Sequence, residues 1–331
     1  MARSTRSAKV GAALQAAYFA AQEQSQPECQ IDAINEAINY ALKAIDDQDR
    51  NLSIKKARAI YPEGMEPALL KEIGNLIAKE MFQAVHERDL TDKQRRDLVH
   101  SFTFAKPKRS VLGVVEKIKA RLVIDGSAVN REDLGDTASP TVKTETIFLL
   151  HALAAFKGWK FSSLDVPAAF THTRLEEGKE IAVVIAVEES KVILKLKPEW
   201  RPYLRRNGTL VVLLLGGLYG LPQASLLWYE RQNKMLTELG YIRTEMDPCL
   251  YIKYKSDGEK SIVVVHVDDY GNFHTDPADF DELVKAVQES FGTPTVHTGD
   301  VGVYVGVEYQ YDRDKCSVRL TQMKYVNKLR E

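Results

Sequence analysis

The stretch SIVVVHVDDYGNFH, residues 261–274, sets two adjacent aspartates, Asp268 and Asp269, at the end of a run of β-branched residues. The run from Ile262 to Val267 has the composition of a strand with apolar neighbours on both faces, and Gly271 with Asn272 predicts the turn after it. Adjacent carboxylates repel, so a pair held at a partly buried turn needs an offsetting partner, which clustered oxygen ligands usually find in a divalent cation. A solvated turn, in which Asp merely favours the bend, is the simpler reading of this segment taken alone. A third carboxylate decides the matter: Asp165, in SSLDVPAAF, also ends a short strand. If the two strands are neighbours in one sheet, three carboxylates share one rim. Such a cluster suits a two-metal site for phosphoryl transfer, with ions about 3.5–4 Å apart. The ligands are hard oxygens and no His or Cys is spaced for zinc, so magnesium is expected, with manganese as a substitute.

The elements that must position these groups follow from periodicity. Residues 1 to about 100 read as helical. IDAINEAINYALKAI aligns Ile31, Ile34, Ile38 and Leu42, and LLKEIGNLIAKEMFQAV aligns Leu70, Ile73, Leu76, Ile77 and Phe82. Asp32 and Glu66 mark expected helix starts, with YPEGMEP as the joint between the blocks. FTFAKPKRSVLGVVEKIKARLVIDG reads as two strands joined by a basic loop containing Gly113; Lys106, Lys108, Arg109, Lys117, Lys119 and Arg121 face one acid, Glu116. A basic hairpin in a near-neutral protein suggests phosphates, and a solvated edge hairpin blocked by lysines accounts for it equally. KTETIFLLHALAAFKGW predicts a helix packing through Ile147, Leu150, Ala154 and Phe156, and the strand ending at Asp165 follows. EIAVVIAV and TLVVLLL are strands. SLLWYERQNKMLTELGY is a helix with Leu227, Met235, Leu236 and Leu239 inward, and CLYIKYKSDGEKSIVVVHVDD is a hairpin turning at SDGEK. PADFDELVKAVQESF is a helix, and VGVYVGVEYQYDRDKCSVRL is a further pair of strands. Helices among hairpin-linked strands predict an α+β fold, not a doubly wound parallel sheet.

Composition sets limits. The 331 residues carry a net charge of −1, with 44% apolar and 27% charged residues, so nucleic-acid contacts must be local and not global. Cys29, Cys249 and Cys316 lie far apart, which argues against a disulfide framework or a zinc site and fits a reducing compartment. No apolar run is long enough to span a membrane. The first 22 residues carry Arg3, Arg6 and Lys9 without an acid; a helix of the folded extension or of an upstream polyprotein region explains this more simply than a mitochondrial targeting segment.

KARLV (119–123), LDVPAAF (164–170), LYGLPQASLLWY (218–229), DPCLY (247–251) and VVVHVDD (263–269) occur in this order and spacing, and together they resemble the reverse transcriptase domain of copia-type LTR retrotransposons over roughly residues 70 to 330. The resemblance implies a right-hand polymerase: a helical N-terminal extension at 1–69, a fingers-like part at 70–140, and palm with the start of a thumb or connection at 141–331. The palm would be an antiparallel sheet with packed helices. It implies that Asp165 binds both magnesium ions with the Val166 carbonyl near the second, that Asp268 is the other principal ligand, and that Asp269 supports them. Phe170 would lie against the sugar of the incoming nucleotide and exclude a 2′-hydroxyl. Gln223 would contact the nucleotide or template backbone, and Lys119 and Arg121, with Lys106 or Lys108, would hold the triphosphate. Implied partners are an RNA or DNA template-primer and deoxynucleoside triphosphates, with no membrane; the implied location is a cytoplasmic particle or the nucleus.

Taken without the resemblance, Phe170 and Trp228 also suit plain packing, and Gln223 suits a helix cap. His266 stands where the family usually has an aromatic residue, and its roles as a charged group, a primer contact or a neutral core histidine stay open. Pro167 and Pro222 depart from the family pattern and leave local backbone geometry open. The resemblance ends near YVNKLRE, where a thumb is expected to begin, and no stretch resembles a ribonuclease H, integrase or protease. A domesticated fold that binds nucleic acid without polymerising, and an α+β module holding a structural ion, are the alternatives to an RNA-directed DNA polymerase.

Overall fold

The computed structural model describes residues 51–109, 115–130, 135–256, 258–323 and 326. The helix expected over 31–45, the basic N-terminal stretch, Cys29, Gly113 and the tip residue Asp257 lie outside them.

In chain order the strands are β1 (Leu52–Ser53), β2 (Phe82–Ala84), β3 (Val99–Arg109), β4 (Val115–Ile124), β5 (Lys160–Asp165), β6 (Ile181–Ile185), β7 (Leu210–Leu214), β8 (Ile242–Arg243), β9 (Leu250–Tyr254), β10 (Lys260–His266), β11 (Asp269–His274), β12 (Thr295–Thr298), β13 (Val301–Tyr304), β14 (Val307–Asp312) and β15 (Ser317–Thr321). They form three sheets and, with the helices, an α+β fold. The first runs β1-β3-β6-β7-β2 with β4 on β3, the second β12-β5-β11-β10-β9-β8, and the third β13-β14-β15. Among the described residues β3 and β6 pair in parallel and the other ladders are antiparallel.

The first sheet packs on the helices Ile54–Ile60, Pro62–Ala78 and Val187–Leu196, whose core includes Met65, Leu69, Ile73 and Ile193. Several expectations fail here for local reasons. The joint falls at Tyr61, the first residue of YPEGMEP, which ends the helix Ile54–Ile60 and caps the next; from Pro62, where a missing N–H costs nothing, the rest of the segment is helix and continues through Pro67, so the helix starts before Glu66. That helix stops at Ala78, so Phe82 lies in β2 opposite Leu214 and not on a helical face. Glu80 takes a φ of +51° at the break. The helix Val187–Leu196 was not anticipated; its apolar positions pack it onto the first core.

The second sheet is covered on both faces, which explains its β-branched run. On one face lie the helices Ala224–Glu238 and Pro277–Phe291, with Trp228 and Phe291 in contact at 4.8 Å between ring centroids. On the other lie the helix Thr144–Lys157 and the third sheet, whose Tyr304 and Tyr309 meet Phe161, while His151 of the helix meets Phe161 and Phe273. Phe156, expected inward on that helix, is 70% exposed; Ile147, Leu150 and Ala154 do the packing. The predicted strand pair after residue 300 is three strands, because Val305 and Gly306 turn the chain within VGVYVGV.

Gly271 is not at a turn. It lies inside β11, where a Cβ would meet Phe161 Cε2 at 2.9 Å, Tyr304 Cζ at 3.0 Å and Val264 Cγ2 at 3.0 Å. The glycine lets the third sheet close onto the second. Gly271→Ala is therefore expected to destabilise the chain by about 1–3 kcal/mol through overpacking, read as a lower midpoint in urea with an unchanged slope.

Candidate active site

The turn between β10 and β11 is His266-Val267-Asp268-Asp269, centred on Val267 and Asp268 and therefore four residues earlier than the Gly271-Asn272 turn that composition suggests. Val267 takes a φ of +58°, a region β-branched residues rarely enter, so the turn must be held from outside. The Trp228 indole N–H donates to the Val267 carbonyl at 2.6 Å, and the Val166 N–H donates to the Asp268 carbonyl at 3.0 Å. The Tyr304 hydroxyl lies 3.1 Å from the Val264 carbonyl and 3.3 Å from that of Asp269. These contacts tie the turn to the helix beneath it, to the end of β5 and to the third sheet.

β5 and β11 are neighbours, and their register sets Asp269 directly opposite Asp165, with His266 and Thr295 completing the rung on either side. Side chains opposite one another on an antiparallel ladder share a face, with Cβ atoms typically ~4.5–5.5 Å apart. Asp268 projects from the turn beside them. Burial, then Asp268, raises the Asp165 carboxyl above the ordinary range, while Lys119, His297 and Arg121 pull it down. Burial, then Asp268 and Asp165, pushes Asp269 up to about 6. Like charge thus accumulates at this rim, and among the described residues none of the three carboxylates forms an ion pair. Among the described residues no three His, Cys, Asp or Glu already close on one point as a finished metal cage. The donor chemistry nonetheless fits a hard cation: the carboxylate oxygens and the backbone carbonyls of the turn are hard donors, although His266 lies beside Asp269 on the rung and His297 acts on Asp165.

The cations come from β4. Alternation puts Lys117, Lys119 and Arg121 on one face of the hairpin, and register puts Lys108, Lys106 and Phe104 opposite them on the same face. Lys119 and Arg121 both act on Asp165. Partial desolvation, then Arg121 and Lys108, lowers the Lys119 ammonium; Asp165 and Glu72 oppose that shift. The Arg121 guanidinium stands over the Tyr219 ring at 4.5 Å, and Tyr219 meets Phe170 edge-on at 5.2 Å. Asp165, Asp268, Asp269, Lys119 and Arg121 are therefore brought together, and Phe170 joins them through Tyr219. Val166 is fully buried behind Asp165.

Phe170 lies in a short 3-10 helix, Ala169–His172, entered through Ala168 at a φ of +54°. Two glycines allow this segment to seat: a Cβ on Gly217 would meet Thr173 Oγ1 at 2.4 Å, and one on Gly216 would meet the Thr173 carbonyl at 2.3 Å. The Tyr219 carbonyl accepts from the Ile124 N–H at 2.8 Å, and Gly220, with a φ of +87°, passes so close to Ile124 that a Cβ would lie 2.1 Å from its carbonyl oxygen. The LYGLP turn is thus clamped to the end of β4.

Gln223 stands apart from the carboxylates. It precedes the helix Ala224–Glu238 without capping it through its side chain, and its Oε1 is buried with no hydrogen-bond partner. It lines a cavity of about 490 Å³ together with Val99, Val129, Leu175, Ile181 and Leu227, and neither Lys119, Arg121, Phe170 nor any of the three aspartates reaches that cavity. Sequence reasoning missed Tyr219 and Glu72. Burial raises the Glu72 carboxyl while it accepts from the Leu122 N–H at 3.0 Å under β4. Nothing in the residue pattern marked Glu72, whereas Tyr219 sat unremarked within a motif already singled out. Trp228, read as packing, also holds the carboxylate turn.

The raised carboxyl of Asp269 has a testable sign. Between its unfolded value, near 4, and about 6 the folded chain binds the extra proton, so this group's contribution to stability is fully present below pH 4 and is lost as pH rises through 6. Asp269→Asn is therefore expected to match the wild type near pH 4 and to exceed it by roughly 1–2 kcal/mol at pH 7 in urea without divalent ions, after allowing for solvent screening. A gap that stays constant with pH would contradict this.

A family model described as "Reverse transcriptase (RNA-dependent DNA polymerase)" matches residues 88–331. The chain is 28% identical over 285 residues to the retrovirus-related Pol polyprotein from transposon TNT 1-94 of Nicotiana tabacum, covering 82% of this chain and 20% of that one. It is 26% identical over 219 residues to the corresponding polyprotein from transposon RE1 of Arabidopsis thaliana, covering 65% and 13%. It thus spans a fifth or less of the length of these relatives. Among solved structures, the foamy viral protease-reverse transcriptase in complex with double-stranded DNA aligns with a TM-score of 0.44 at 12% identity, covering 80% of this chain and 36% of that one. With the family model spanning most of its length and copia-type polyproteins among its relatives, the chain belongs to the reverse transcriptase family, in its copia-type branch.

Proposed function

We propose that the chain is the catalytic core of an RNA-directed DNA polymerase, adding deoxynucleotides to a primer 3′-hydroxyl on a nucleic-acid template. The observation that carries this reading is the rung Asp165–Asp269, with Asp268 at its turn, facing Lys119 and Arg121 of β4. In this reading Asp165, Asp268, Asp269 and the Val166 carbonyl hold two magnesium or manganese ions. When bound, such ions polarise the attacking hydroxyl and stabilise the leaving oxygen.

The chain's own residues supply the rest. A bond forms from the primer 3′-oxygen to the α-phosphorus as the bond to pyrophosphate breaks, and no covalent enzyme intermediate is needed. Lys119 and Arg121 take up the triphosphate charge, with Lys106 and Lys108 on the same hairpin face extending that surface. Tyr219 fixes the Arg121 plane. Phe170, braced by Tyr219, lies against the sugar. Gln223, turned toward its own cavity, orients template more readily than triphosphate. The fingers-like part, expected at 70–140, is proposed to take in β1, β6 and β7 as well, because they complete the same sheet. Location in a cytoplasmic particle or the nucleus is proposed from the relatives alone.

The test is extension of a labelled DNA primer on an RNA template with magnesium. The wild type is expected to extend it, and Asp268→Asn is expected to fall at least about a hundredfold while still binding primer-template. Affinity for primer-template is expected to fall steeply with salt, with a log-log slope of ~−0.7 to −0.9 per neutralised phosphate. Binding without extension by either protein would replace this reading with the non-polymerising fold, and a flat salt dependence would argue against phosphate-mediated grip.

A further inference from the structure

On another part of the chain, basic side chains from three segments converge without a carboxylate among the described residues. Lys79, at the end of the helix Pro62–Ala78, places its Nζ 2.6 Å from Thr171 Oγ1 and 2.8 Å from His172 Nε2. Arg174 reaches back over it, donating from Nη2 to the Lys79 carbonyl at 2.6 Å and from Nη1 to the Thr173 carbonyl at 3.2 Å. Arg231, exposed on the helix Ala224–Glu238, lies 5.9 Å over the Phe291 ring, which is 5.6 Å from the His172 ring. Three cations from separate segments of the chain thus gather round one imidazole.

What sets these three apart is that they come together around one half-buried imidazole. Arg58, Arg205, Lys253, Lys255 and Arg313 each meet a carboxylate. Among the described residues Lys79, Arg174 and Arg231 meet none, and their sequence neighbours Glu80 and Glu230 form no ion pair with them. Among the described residues Arg231 makes no hydrogen bond, which leaves its guanidinium donors available. Lys79 spends two of its three donors on Thr171 and His172 and keeps one. Burial, then Lys79, lowers the His172 imidazole to about 4, with Arg231 and Arg174 adding to the shift and the Pro167 carbonyl, 3.3 Å from its Nε2, opposing it. Burial, then Arg174, lowers the Lys79 ammonium to about 8. The buried rings of Trp228 and Phe291 floor the group and weaken solvent screening.

We propose that Lys79, Arg174 and Arg231, steadied by Thr171 and His172, form a binding site for a phosphate group, separate from the carboxylate rim. An anion there offsets mutual repulsion among three cations and meets donors that nothing else in the described chain occupies. The phosphate comes either from a nucleic-acid backbone or from a free phosphate or pyrophosphate ion. The inference stands whether or not the chain polymerises.

The test maps lysine acetylation by mass spectrometry on the full chain in EDTA, with pyrophosphate added at constant ionic strength. Lys79 is expected to be protected saturably, and Arg231→Gln is expected to raise the half-protecting concentration about tenfold, the loss of one charge-assisted hydrogen bond. Arg231 is exposed and touches only a ring, so the variant's thermal midpoint without anion should match the wild type, which separates binding from folding. Protection by a DNA duplex below the concentration at which pyrophosphate acts assigns the backbone as the source; protection by pyrophosphate alone assigns the free ion. Lack of saturable protection by either, or protection that Arg231→Gln leaves unchanged, overturns the proposal.

Discussion

Repulsion among three carboxylates at one sheet end is the constraint to which the rest of this structure answers. Asp165 and Asp269 share a rung, and Asp268 sits at the turn beside it, so each ionisation opposes the next. A chain free to relax would splay the turn. It is prevented by backbone pairing of β5 with β11 and by the bonds from Val166, Trp228 and Tyr304 to carbonyls in or next to the turn. These bonds use neutral donors on carbonyl oxygens, so the carboxylates themselves are left with their lone pairs for a ligand.

The positive side of the site comes from a different sheet and has to be brought to it. β4 belongs to the first sheet, and its end is clamped to the LYGLP turn by the Tyr219 carbonyl and by mutual close approach of Gly126 and Gly220, where a Cβ on Gly126 would lie 2.0 Å from the Gly220 carbonyl oxygen. Phe170 touches both hydrophobic cores, so it marks the seam between the two halves. Through Tyr219 that seam reaches Arg121, and through Arg121 it reaches Asp165. Packing, backbone approach and charge therefore meet along one short path.

Unfavourable backbone conformations cluster along the same path: Ala168 and Val267 both take positive φ, at the entry to the Phe170 segment and at the carboxylate turn. Each costs something locally, and each is surrounded by contacts that over-determine it. The second sheet can bear this because it is covered on both faces, and its β-branched run packs against helices on one side and tyrosines on the other.

How much was legible in advance follows from what each signal measures. Strand identity, the α+β class and the carboxylate positions came from local composition and motif order, because a β-branched run and a strand-ending Asp are properties of a few neighbouring residues. The turn at Asp268 was misplaced, since Gly271 carries the local signature of a bend while its actual service is to admit Tyr304, a residue more than thirty positions away. Phe82 was misread because helical periodicity continues in sequence past the point where β7 captures the chain. The sequence by itself determined which groups could do chemistry. Only the tertiary structure decided which of them meet: register put Asp165 opposite Asp269, a glycine clamp brought β4 over them, and Gln223 was turned to a different cavity. Pairing register and close backbone approach depend on atoms far apart along the chain, and no local pattern encodes them.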